Sequence, residues 1–413
     1  MKTISDRELG TILLQATQRC EPTPPRLVAS GNLATPWTLL GHVDRTLERY
    51  RVYAINGQRG FAHRDGVSLE TSFVGIGMRK APNLRYVPSR LSLVPRLFHG
   101  PLRPDVVLLH TSPPHNGRVS LGIEVNILPA AIEAARAAGG IVIAQVNRRM
   151  PYTFGNAEID VDDIDHALEV DEPLPELAMG TLDETSQAIG ELITARVGSG
   201  STLQLGIGGV PDAVVGRLTR HRNLRVWTEM FSDGVLALER EGCMDPATPL
   251  TASFLIGTAD LYTWVHRNPR VQMLRTEVVN EPANIARHPD MVSVNTALQV
   301  DLFAQANASR IKGRIYSGFG GQTDFIVGAL HSEGGQSFIA LRSWHPKADV
   351  STIVPMIDEP LTSFQPSAVV TEHGIADIRG QDDRTQARNL IERAAHPCIR
   401  DELWEEAYEL GLT

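Results

Sequence analysis

The stretch TLQLGIGGVPDAVVGRLTRH (residues 202–221) contains a short apolar run, a glycine-rich turn and a helix-like segment in direct succession. Other short apolar runs occur at residues 105–110 (DVVLLH), 141–146 (IVIAQV) and 224–231 (LRVWTEMF). They alternate with helix-like stretches such as PAAIEAARAAG at residues 129–139. Strands that alternate with helices are typical of βα units. The sequence therefore predicts an α/β fold with mostly parallel sheets flanked by helices.

The length of the chain favours two domains. A sequence of 413 residues is too long for one ordinary hydrophobic core. Residues 169–177 (EVDEPLPEL) interrupt the alternation with two prolines and four acidic residues, and an Asp-x-x-Ser helix start follows at residue 183. We therefore predict two open α/β domains, which comprise residues 1–182 and 183–413.

Composition and charge exclude several classes of function. The chain is 42% hydrophobic and 21% charged, as expected of a packed globular protein. Its formal net charge is -9 and no long Lys/Arg run occurs, so a nucleic-acid partner is not expected. No apolar run approaches the roughly 18 residues of a membrane span, and the N-terminal residues lack the apolar core of a signal peptide. We predict a cytoplasmic protein with no membrane partner.

The cysteines and histidines show no metal or disulfide pattern. Cys20, Cys243 and Cys398 lie far apart with no CxxC pair, which argues against disulfides and against a thiolate zinc site. The 13 histidines include no HExxH motif. The acid-rich DVDDIDH (residues 160–166) lacks the glycine and distal glutamate of a calcium loop, so a solvated turn is favoured there. Neither a G-x-S-x-G elbow nor a Walker loop occurs. No metal site is predicted.

A single glutamate interrupts the apolar run before a Ser-Asp-Gly turn, in WTEMFSDGV (residues 227–235). Glutamate fits a half-buried strand poorly, so Glu229 requires an explanation. An isolated glutamate beside a turn is usually solvated or paired with a cation. However, Glu229 lies near the carboxyl end of a predicted strand, where open α/β sheets place their ligand crevice. Both interpretations stay open on this pattern alone.

Two glycine-rich turns lie in the second half. LGIGGVPDAV (residues 205–214) places Gly206, Gly208 and Gly209 between a strand and a helix, where backbone N–H groups can face a ligand. It departs from the dinucleotide fingerprint, so close packing is an equal alternative. YSGFGGQTDF (residues 316–325) is denser in glycine, and its N–H groups can point at a developing oxyanion. On this pattern alone, a tight bend with an Asp-capped exit is slightly favoured.

Several blocks in this order resemble the acetyl-CoA hydrolase/transferase family, which includes 4-hydroxybutyrate, butyrate and succinate:acetate CoA-transferases. The blocks are YVPSRLSLVPRLF (86–98), TSPPHNGRVSLG (111–122), MPYTFGNAEIDVDDIDHALEVDEPLPEL (150–177), LGIGGVPDAV (205–214), TEMFSDG (228–234), MVSVNTALQVDL (291–302), SGFGGQTDF (317–325) and VVTEHGIADIRG (369–380). The resemblance covers nearly the whole chain and implies the CoA-transferase type of α/β domains.

The resemblance implies a catalytic role for four residues. Glu229 matches the family's nucleophile, which forms acyl-glutamyl anhydride and glutamyl-CoA thioester intermediates in turn. Gly320 and Gly321 match the block whose backbone amide helps to form the oxyanion hole. Asn295 is expected to add a side-chain donor.

The resemblance also implies a binding surface for coenzyme A. The turn that contains Gly206, Gly208 and Gly209 would line the CoA side, together with Gly318 and Gln322 of the second turn. Acyl-CoA and a small carboxylic acid are the implied substrates, with no permanently bound cofactor and no metal. Similar proteins are commonly homo-oligomers, so a homo-oligomer is expected.

Three departures from the family pattern limit what the resemblance implies about substrate. Gln299 replaces a glutamate before V-D-L, Gly209 replaces an alanine or lysine, and ALRSWHP (residues 340–346) replaces I-A-L-P-S-T. No acyl preference is therefore inferred. The alternatives are an acyl-CoA hydrolase that uses the same glutamate and a catalytically silent CoA-binding subunit.

Overall fold

A computed structural model describes residues 1–20, 22–178, 180, 182–206 and 208–413. The chain divides into two compact units, of which the first comprises Met1–Leu177 and Pro249–Val279. The second unit comprises Ala178–Thr248 and Asn280–Thr413.

The strands are β1 (Lys2–Thr3), β2 (Arg26–Ala29), β3 (Tyr50–Tyr53), β4 (Val67–Thr71), β5 (Leu84–Tyr86), β6 (Val106–Thr111), β7 (Arg118–Ser120), β8 (Ile141–Asn147), β9 (Phe154–Gly155), β10 (Glu158–Asp160), β11 (His166–Val170), β12 (Thr202–Leu205), β13 (Arg225–Val226), β14 (Met230–Phe231), β15 (Leu250–Ala252), β16 (Phe254–Leu255), β17 (Val271–Met273), β18 (Met291–Thr296), β19 (Gln299–Asp301), β20 (Ala306–Asn307), β21 (Arg310–Ile311), β22 (Arg314–Ile315), β23 (Gln336–Ala340), β24 (Trp344–His345), β25 (Val350–Ser351), β26 (Ile353–Val354), β27 (Ala368–Thr371) and β28 (Gly374–Asp377).

The α-helices are α1 (Asp6–Gln18), α2 (Trp37–Thr46), α3 (Val94–Phe98), α4 (Leu128–Ala137), α5 (Glu184–Thr194), α6 (Gly209–Arg217), α7 (Asp233–Arg240), α8 (Ala259–Val265), α9 (Thr276–Val279), α10 (Pro282–Ile285), α11 (Gln322–His331), α12 (Asp383–Asn389) and α13 (Arg400–Glu409). A π-helical turn, Leu390–Ala394, follows α12. Short 3₁₀ turns lie at Asn32–Ala34, Leu91–Leu93, Val161–Asp163, Leu218–Arg220 and Pro397–Ile399.

The first unit is built on an eight-stranded sheet in the order β1-β11-β8-β6-β2-β3-β4-β5. All of its neighbouring strands pair in parallel. Strands β6 and β8 are buried almost throughout, as expected for a parallel sheet covered on both faces. The order of the strands reverses between β2 and β6, and this reversal is the topological switch point of the sheet.

The second unit contains a six-stranded sheet in the order β13-β12-β18-β23-β27-β28. Its strands pair in parallel except for the edge pair β27 and β28. In this sheet β13 lies on one side of β12, and β18, the next strand of the sheet along the chain, lies on the other side. The carboxyl ends of these three strands therefore lie at the switch point, which is where open α/β sheets bind ligands. Both sheets confirm the predicted fold class.

Predicted and observed elements agree closely in most places. The helix expected at residues 129–139 is α4, in which Pro129 is the second helical residue. The Asp-x-x-Ser start at residue 183 is confirmed, because the Asp183 side chain accepts a hydrogen bond from the backbone N–H of Ser186 at the start of α5.

The predicted strand at residues 224–231 is wrong as a single element. The structure divides it into β13 and β14, with Trp227, Thr228 and Glu229 outside both strands. The Thr228 hydroxyl donates to the Leu205 carbonyl at 3.2 Å and to the Met230 carbonyl at 3.0 Å, which bends the chain between the two short strands.

The division into units differs from the predicted domains in one respect. The chain passes from the first unit to the second after Leu177, a few residues before the predicted boundary, but Pro249–Val279 belongs to the first unit. In that segment β15 and β17 pair in parallel, and β17 pairs in parallel with β9. Short strands of this kind carry no sequence signal for the sheet that they join.

Three further features of the sequence can be located in the structure. All three cysteines are free. In the acid-rich segment, Asp160 caps the backbone N–H of Asp162, and Asp165 pairs with Arg136 at 2.8 Å. Across the described ranges, each helix is either too short or too polar to cross a membrane.

Candidate active site

Glu229 lies in the bend between β13 and β14, at the carboxyl edge of the second unit's sheet. Its neighbours Thr228 and Met230 are buried, whereas Glu229 is only partly buried. The Thr228 hydroxyl ties the bend to the end of β12. The backbone around Glu229 is therefore held on both sides while its carboxylate projects from the sheet edge.

The Glu229 carboxylate accepts a hydrogen bond from Asn280. The donor is Nδ2 of Asn280 and the acceptor is Oε2 of Glu229, at 2.9 Å. Asn280 is fully buried and directly follows the short helix α9. A buried amide has few rotamers available, so it fixes the orientation of the carboxylate as well as stabilising its charge.

The carboxylate also lies directly against the backbone of Gly321, the residue that caps the N-terminus of α11. A Cβ atom at this position would overlap both Oε2 of Glu229 and Nδ2 of Asn280. The backbone of Gly321 is in the right-handed helical region, so glycine is needed here for space and not for conformation. The N-terminus of a helix carries partial positive charge, which favours an anion at this point.

Gly320 is glycine for a different reason, which is its backbone conformation. Its φ of 51° lies in the left-handed region, which glycine adopts without strain. Together, Gly320 and Gly321 turn the chain sharply into α11 and leave the Glu229 carboxylate next to main chain instead of a side chain.

Burial dominates the electrostatics of Glu229. Burial, partly offset by the Asn280 hydrogen bond and reinforced by the charge of Asp324, raises the pKa of the carboxyl from 4.5 to about 7. Asp324 is fully buried in the first turn of α11. Near neutral pH the side chain is thus poised between its acid and its anion, which is unusual for a glutamate and typical of functional sites.

Asn295, the predicted side-chain donor, lies in a separate polar cluster on the same sheet. Gln204 of β12 and Ser293 of β18 are paired in register, and Asn295 is two residues further along the same face. Nδ2 of Asn295 donates to Ser293 Oγ at 2.8 Å and to Gln204 Oε1 at 3.1 Å. Both amide hydrogens are therefore used within the cluster.

Gln322 and Gly318 belong to the connection into α11. The side chain of Gln322 is buried, and its Nε2 donates to the Thr296 carbonyl at 3.2 Å. This bond ties the start of α11 to the carboxyl end of β18. Gly318 is buried in the loop before α11. In the structure Gln322 thus has a positioning contact with the main chain.

The glycines of the first turn differ from one another. Gly208 has a φ of 114°, caps α6, and has no heavy atom within 4 Å of a Cβ placed on it. Its conformation requires glycine, and open space lies beside it. A Cβ on Gly209 would crowd the Ser186 hydroxyl at 2.8 Å, and one on Gly206 would make an ordinary contact with Pro211. Gly209 therefore has a packing reason to be glycine.

Gly206 and the Glu229 bend share one small cavity. Its lining includes Gly206, Asp212, Thr228, Met230 and Ser232. The structure thus places the first glycine turn beside the segment that carries Glu229. The second glycine turn reaches the same carboxylate through Gly321. Among the predicted site residues, Gly321 thus lies directly against the Glu229 carboxylate.

Asn280 is a site residue that sequence reasoning missed. It lies in VVNEP (residues 278–282), where an asparagine before a Glu-Pro turn has an ordinary explanation as a turn residue. Within the described part of the chain, no group of three or more His, Cys, Asp or Glu side chains is arranged to hold a metal ion. The groups that meet at Glu229 are thus one carboxylate, one amide and a helix N-terminus.

Comparison with known proteins identifies the family. Residues 52–176 match the acetyl-CoA hydrolase/transferase N-terminal domain, and residues 257–407 match the corresponding C-terminal domain. The chain belongs to the acetyl-CoA hydrolase/transferase family. Because its relatives are named CoA-transferases and acetyl-CoA hydrolases, it is an enzyme of the CoA-transferase type.

Individual family members match over most of their length. The chain is 38% identical over 364 residues to a 4-hydroxybutyrate coenzyme A transferase from Clostridium kluyveri, covering 84% of this chain and 82% of the relative. It is 35% identical over 405 residues to a succinyl-CoA:acetate/propanoyl-CoA:succinate CoA transferase from Fasciola hepatica, covering 92% and 84% respectively. The crystal structure of RipA from Yersinia pestis superposes with a TM-score of 0.89 at 28% identity, covering 99% of this chain and all of RipA.

The raised pKa of Glu229 gives a testable stability effect. Folding raises this pKa from 4.5 to about 7, so protonation favours the folded wild type. That stabilisation is present below the unfolded pKa and is lost as the pH rises through the folded pKa. We therefore expect Glu229→Gln to be more stable than the wild type above pH 7, by at most about 3 kcal/mol, and to lose this advantage in acid.

Thermal unfolding of both proteins between about pH 5 and pH 8 measures the effect. Glu392→Gln, which neutralises an exposed glutamate of the same unit, is the matched control for the loss of one charge. A difference between wild type and Glu229→Gln that does not change with pH would contradict the raised pKa.

Proposed function

We propose that this enzyme transfers coenzyme A between an acyl-CoA and a small carboxylic acid, with Glu229 as the nucleophile. The observation that carries the proposal is the Glu229 carboxylate, held by Asn280 against the backbone of Gly321 at the start of α11. A partly desolvated carboxylate is a stronger nucleophile than a hydrated one, and family membership supplies the CoA substrate.

The reaction begins with attack by a Glu229 carboxylate oxygen on the thioester carbonyl of an acyl-CoA. The C–S bond breaks, CoA thiolate leaves, and an acyl-glutamyl anhydride remains. The thiolate then attacks the glutamyl carbonyl, which releases the first carboxylate and leaves a glutamyl-CoA thioester. An incoming carboxylate repeats these steps in reverse and leaves as its CoA ester. No resident cofactor is required.

Each step passes through a tetrahedral oxyanion. The main chain at Gly320 and Gly321, together with the positive end of α11, is our proposed site for its stabilisation. Loss of one such donor typically costs a few kcal/mol of transition-state stabilisation. Asn295 is assigned a positioning role in this proposal, because its amide hydrogens are engaged by Gln204 and Ser293.

The open space beside Gly208 supports the assignment of the first glycine turn to the CoA side. Gly206 supports it as well, because it lines the small cavity next to the Glu229 bend. Gly318 and Gln322 complete this proposed surface through the loop that leads into α11. A cytoplasmic homo-oligomer is part of the proposal and rests on the family alone.

Trapping the covalent intermediate tests the role of Glu229. We expect incubation with acetyl-CoA to add a CoA thioester to the enzyme, which borohydride reduces to an alcohol on the peptide that contains Glu229. Mass spectrometry of the intact protein and its peptides detects both products. Glu229→Gln should bind CoA and fold but give no adduct and no exchange; retained exchange would remove Glu229 from this role.

The same adduct separates transfer from hydrolysis. Addition of a carboxylic acid to the isolated adduct should produce the new acyl-CoA in preference to free CoA. Release of free CoA at the same rate with and without the acid would instead identify an acyl-CoA hydrolase, since water would then be the acceptor.

Gly321→Ala tests the close approach of the main chain to the carboxylate. The added Cβ displaces the ends of the Glu229 and Asn280 side chains and leaves the backbone in place. A displacement of about 1 Å at a reacting group lowers the rate roughly 100-fold, so turnover should fall on that scale while the melting temperature changes little. Gly216→Ala on α6, where a Cβ meets no atom within 4 Å, is the control. If Gly321→Ala instead loses stability in proportion to turnover, the turn is needed for packing and not specifically for catalysis.

The pH dependence of kcat/KM gives a further test. The ionised carboxylate is the nucleophile, so kcat/KM should rise with pH and level off above the Glu229 pKa of about 7. Asn280→Ala removes the hydrogen bond that lowers this pKa, so the midpoint of its profile should move to higher pH. An unchanged midpoint in Asn280→Ala would argue that another group controls the profile.

A further inference from the structure

The first unit contains a cavity of about 480 Å³ that plays no part in the proposed reaction. Its lining includes Arg19, Arg26, Arg51, Arg103 and Asp105, and we call it the arginine cavity. A volume of this size is within the range of small-molecule binding sites. Four arginines around one cavity need an explanation, because like charges repel one another at short range.

The topology places the arginine cavity at the amino-terminal edge of the eight-stranded sheet. Arg26 is the first residue of β2, Arg51 is the second residue of β3, and Asp105 directly precedes β6. The three strands are parallel neighbours, so these residues lie side by side. The switch point of this sheet is at its opposite, carboxyl edge. The cavity is therefore distinct from the crevice in which such sheets usually bind substrates.

Two of the arginines have structural partners. Arg26 is buried and forms a two-pronged ion pair with Glu70, at 2.7 and 3.3 Å, and it donates to the Pro101 carbonyl at 3.0 Å. Arg19 donates to the carbonyl of Gly139, just past the end of α4. Orphan carbonyls at helix ends commonly take such partners. Arg26 and Arg19 are therefore explained without a ligand.

Protein partners do not account for the whole Arg51 guanidinium. Its Nε donates to the Pro24 carbonyl at 3.0 Å, but among the described residues its two terminal nitrogens have no protein acceptor. The side chain is partly buried. Burial, followed by the nearby charge of Arg26, lowers the pKa of Arg51, which indicates that the guanidinium is poorly compensated. Arg51 thus brings unused donors and unbalanced charge into the cavity.

The charges around the cavity leave an excess of cations. Arg26 is neutralised by Glu70, which lies outside the lining. Asp105 is then the one carboxylate among the described lining residues, against Arg19, Arg51 and Arg103. Asp105 also accepts from the backbone N–H of Arg26 at 2.8 Å. Arg103 is exposed at the rim of the cavity. The excess positive charge and the fork-shaped donors suit an anion with several oxygen atoms.

We propose that the arginine cavity binds a phosphate-bearing anion, with Arg51 as its principal ligand and Arg103 as a second ligand at the rim. Planar guanidinium groups bind phosphoryl oxygens in a two-pronged manner, and the anion supplies the acceptors that Arg51 lacks. The volume of the cavity admits either a free phosphate or pyrophosphate or the phosphate end of a nucleotide. The proposal does not depend on the role of Glu229, which belongs to the second unit.

Binding of pyrophosphate to the intact enzyme tests the proposal by titration calorimetry and thermal shift. We expect pyrophosphate to bind and to raise the melting temperature, with an affinity that falls as salt is added. Arg51→Gln should weaken binding about 10-fold or more, since it removes charge-assisted hydrogen bonds. Arg7→Gln, which neutralises an exposed arginine of α1 outside the cavity, should bind as the wild type does.

The free Arg51→Gln protein should be at least as stable as the wild type, because the change removes a poorly compensated charge beside Arg26. If this variant fails to fold, Arg103→Gln gives the same binding test at an exposed position. The same titration with ADP and with orthophosphate distinguishes the two kinds of ligand. Tighter binding of ADP than of pyrophosphate indicates a nucleotide, and tighter binding of pyrophosphate indicates a free phosphate compound.

The outcomes separate this site from the active site. Glu229→Gln should bind pyrophosphate as tightly as the wild type, and Arg51→Gln should keep normal CoA exchange in the absence of added anion. The proposal fails if none of the three anions binds, or if Arg51→Gln or Arg103→Gln binds them as tightly as the wild type. Neither failure would affect the role proposed for Glu229.

Discussion

The site depends on one hydrogen bond, from Asn280 to a carboxylate that has been partly withdrawn from water. An ionised carboxylate in such a position is costly unless the protein supplies compensating interactions. Here they are the Asn280 amide and the positive end of α11. The carboxylate reaches α11 because residue 321 has no side chain. The glycine, the amide and the bend that holds Glu229 are therefore parts of one electrostatic arrangement.

The parallel sheet of the second unit makes this arrangement possible. Its order places the ends of β12, β13 and β18 together, and it brings three chain segments that are distant in sequence to a single edge. The register between β12 and β18 sets Gln204 beside Ser293, and the alternation of the strand places Asn295 on the same face. This cluster lies at the same sheet edge and stiffens it through side-chain hydrogen bonds. The carboxyl ends of these strands thus place the oriented Glu229 carboxylate beside a rigid polar cluster.

Sequence patterns predicted the α/β class, the main strands and helices, and Glu229 as the exceptional residue of its segment. These features are local, since they depend on hydrophobic period, turn residues and the misfit of one glutamate. Asn280 was missed because it is 51 residues from its partner, and no spacing rule joins the two. The division of residues 224–231 into two short strands was missed because Thr228 bends the chain through bonds that only the folded sheet provides. The grouping of Pro249–Val279 with the first unit could not be read from the sequence, since short strands do not encode their partners.

The hydrogen bonding of the Glu229 carboxylate bears on its reactivity as a nucleophile. A carboxylate that accepts two or three backbone N–H bonds has a strongly lowered pKa, and such an anion is a weak nucleophile. With one side-chain donor among the described residues and with substantial burial, Glu229 has a pKa of about 7, so its anion is available near neutral pH and is less stabilised than a fully hydrogen-bonded one. Under the proposed mechanism, the N–H groups of the Gly320–Gly321 turn then act on the oxyanion instead of the resting carboxylate. Donors that strengthen only as the transition state forms lower the barrier, whereas donors that bind the ground state equally well do not. The stability that the fold gives up by burying Glu229 is, on this argument, the source of its reactivity.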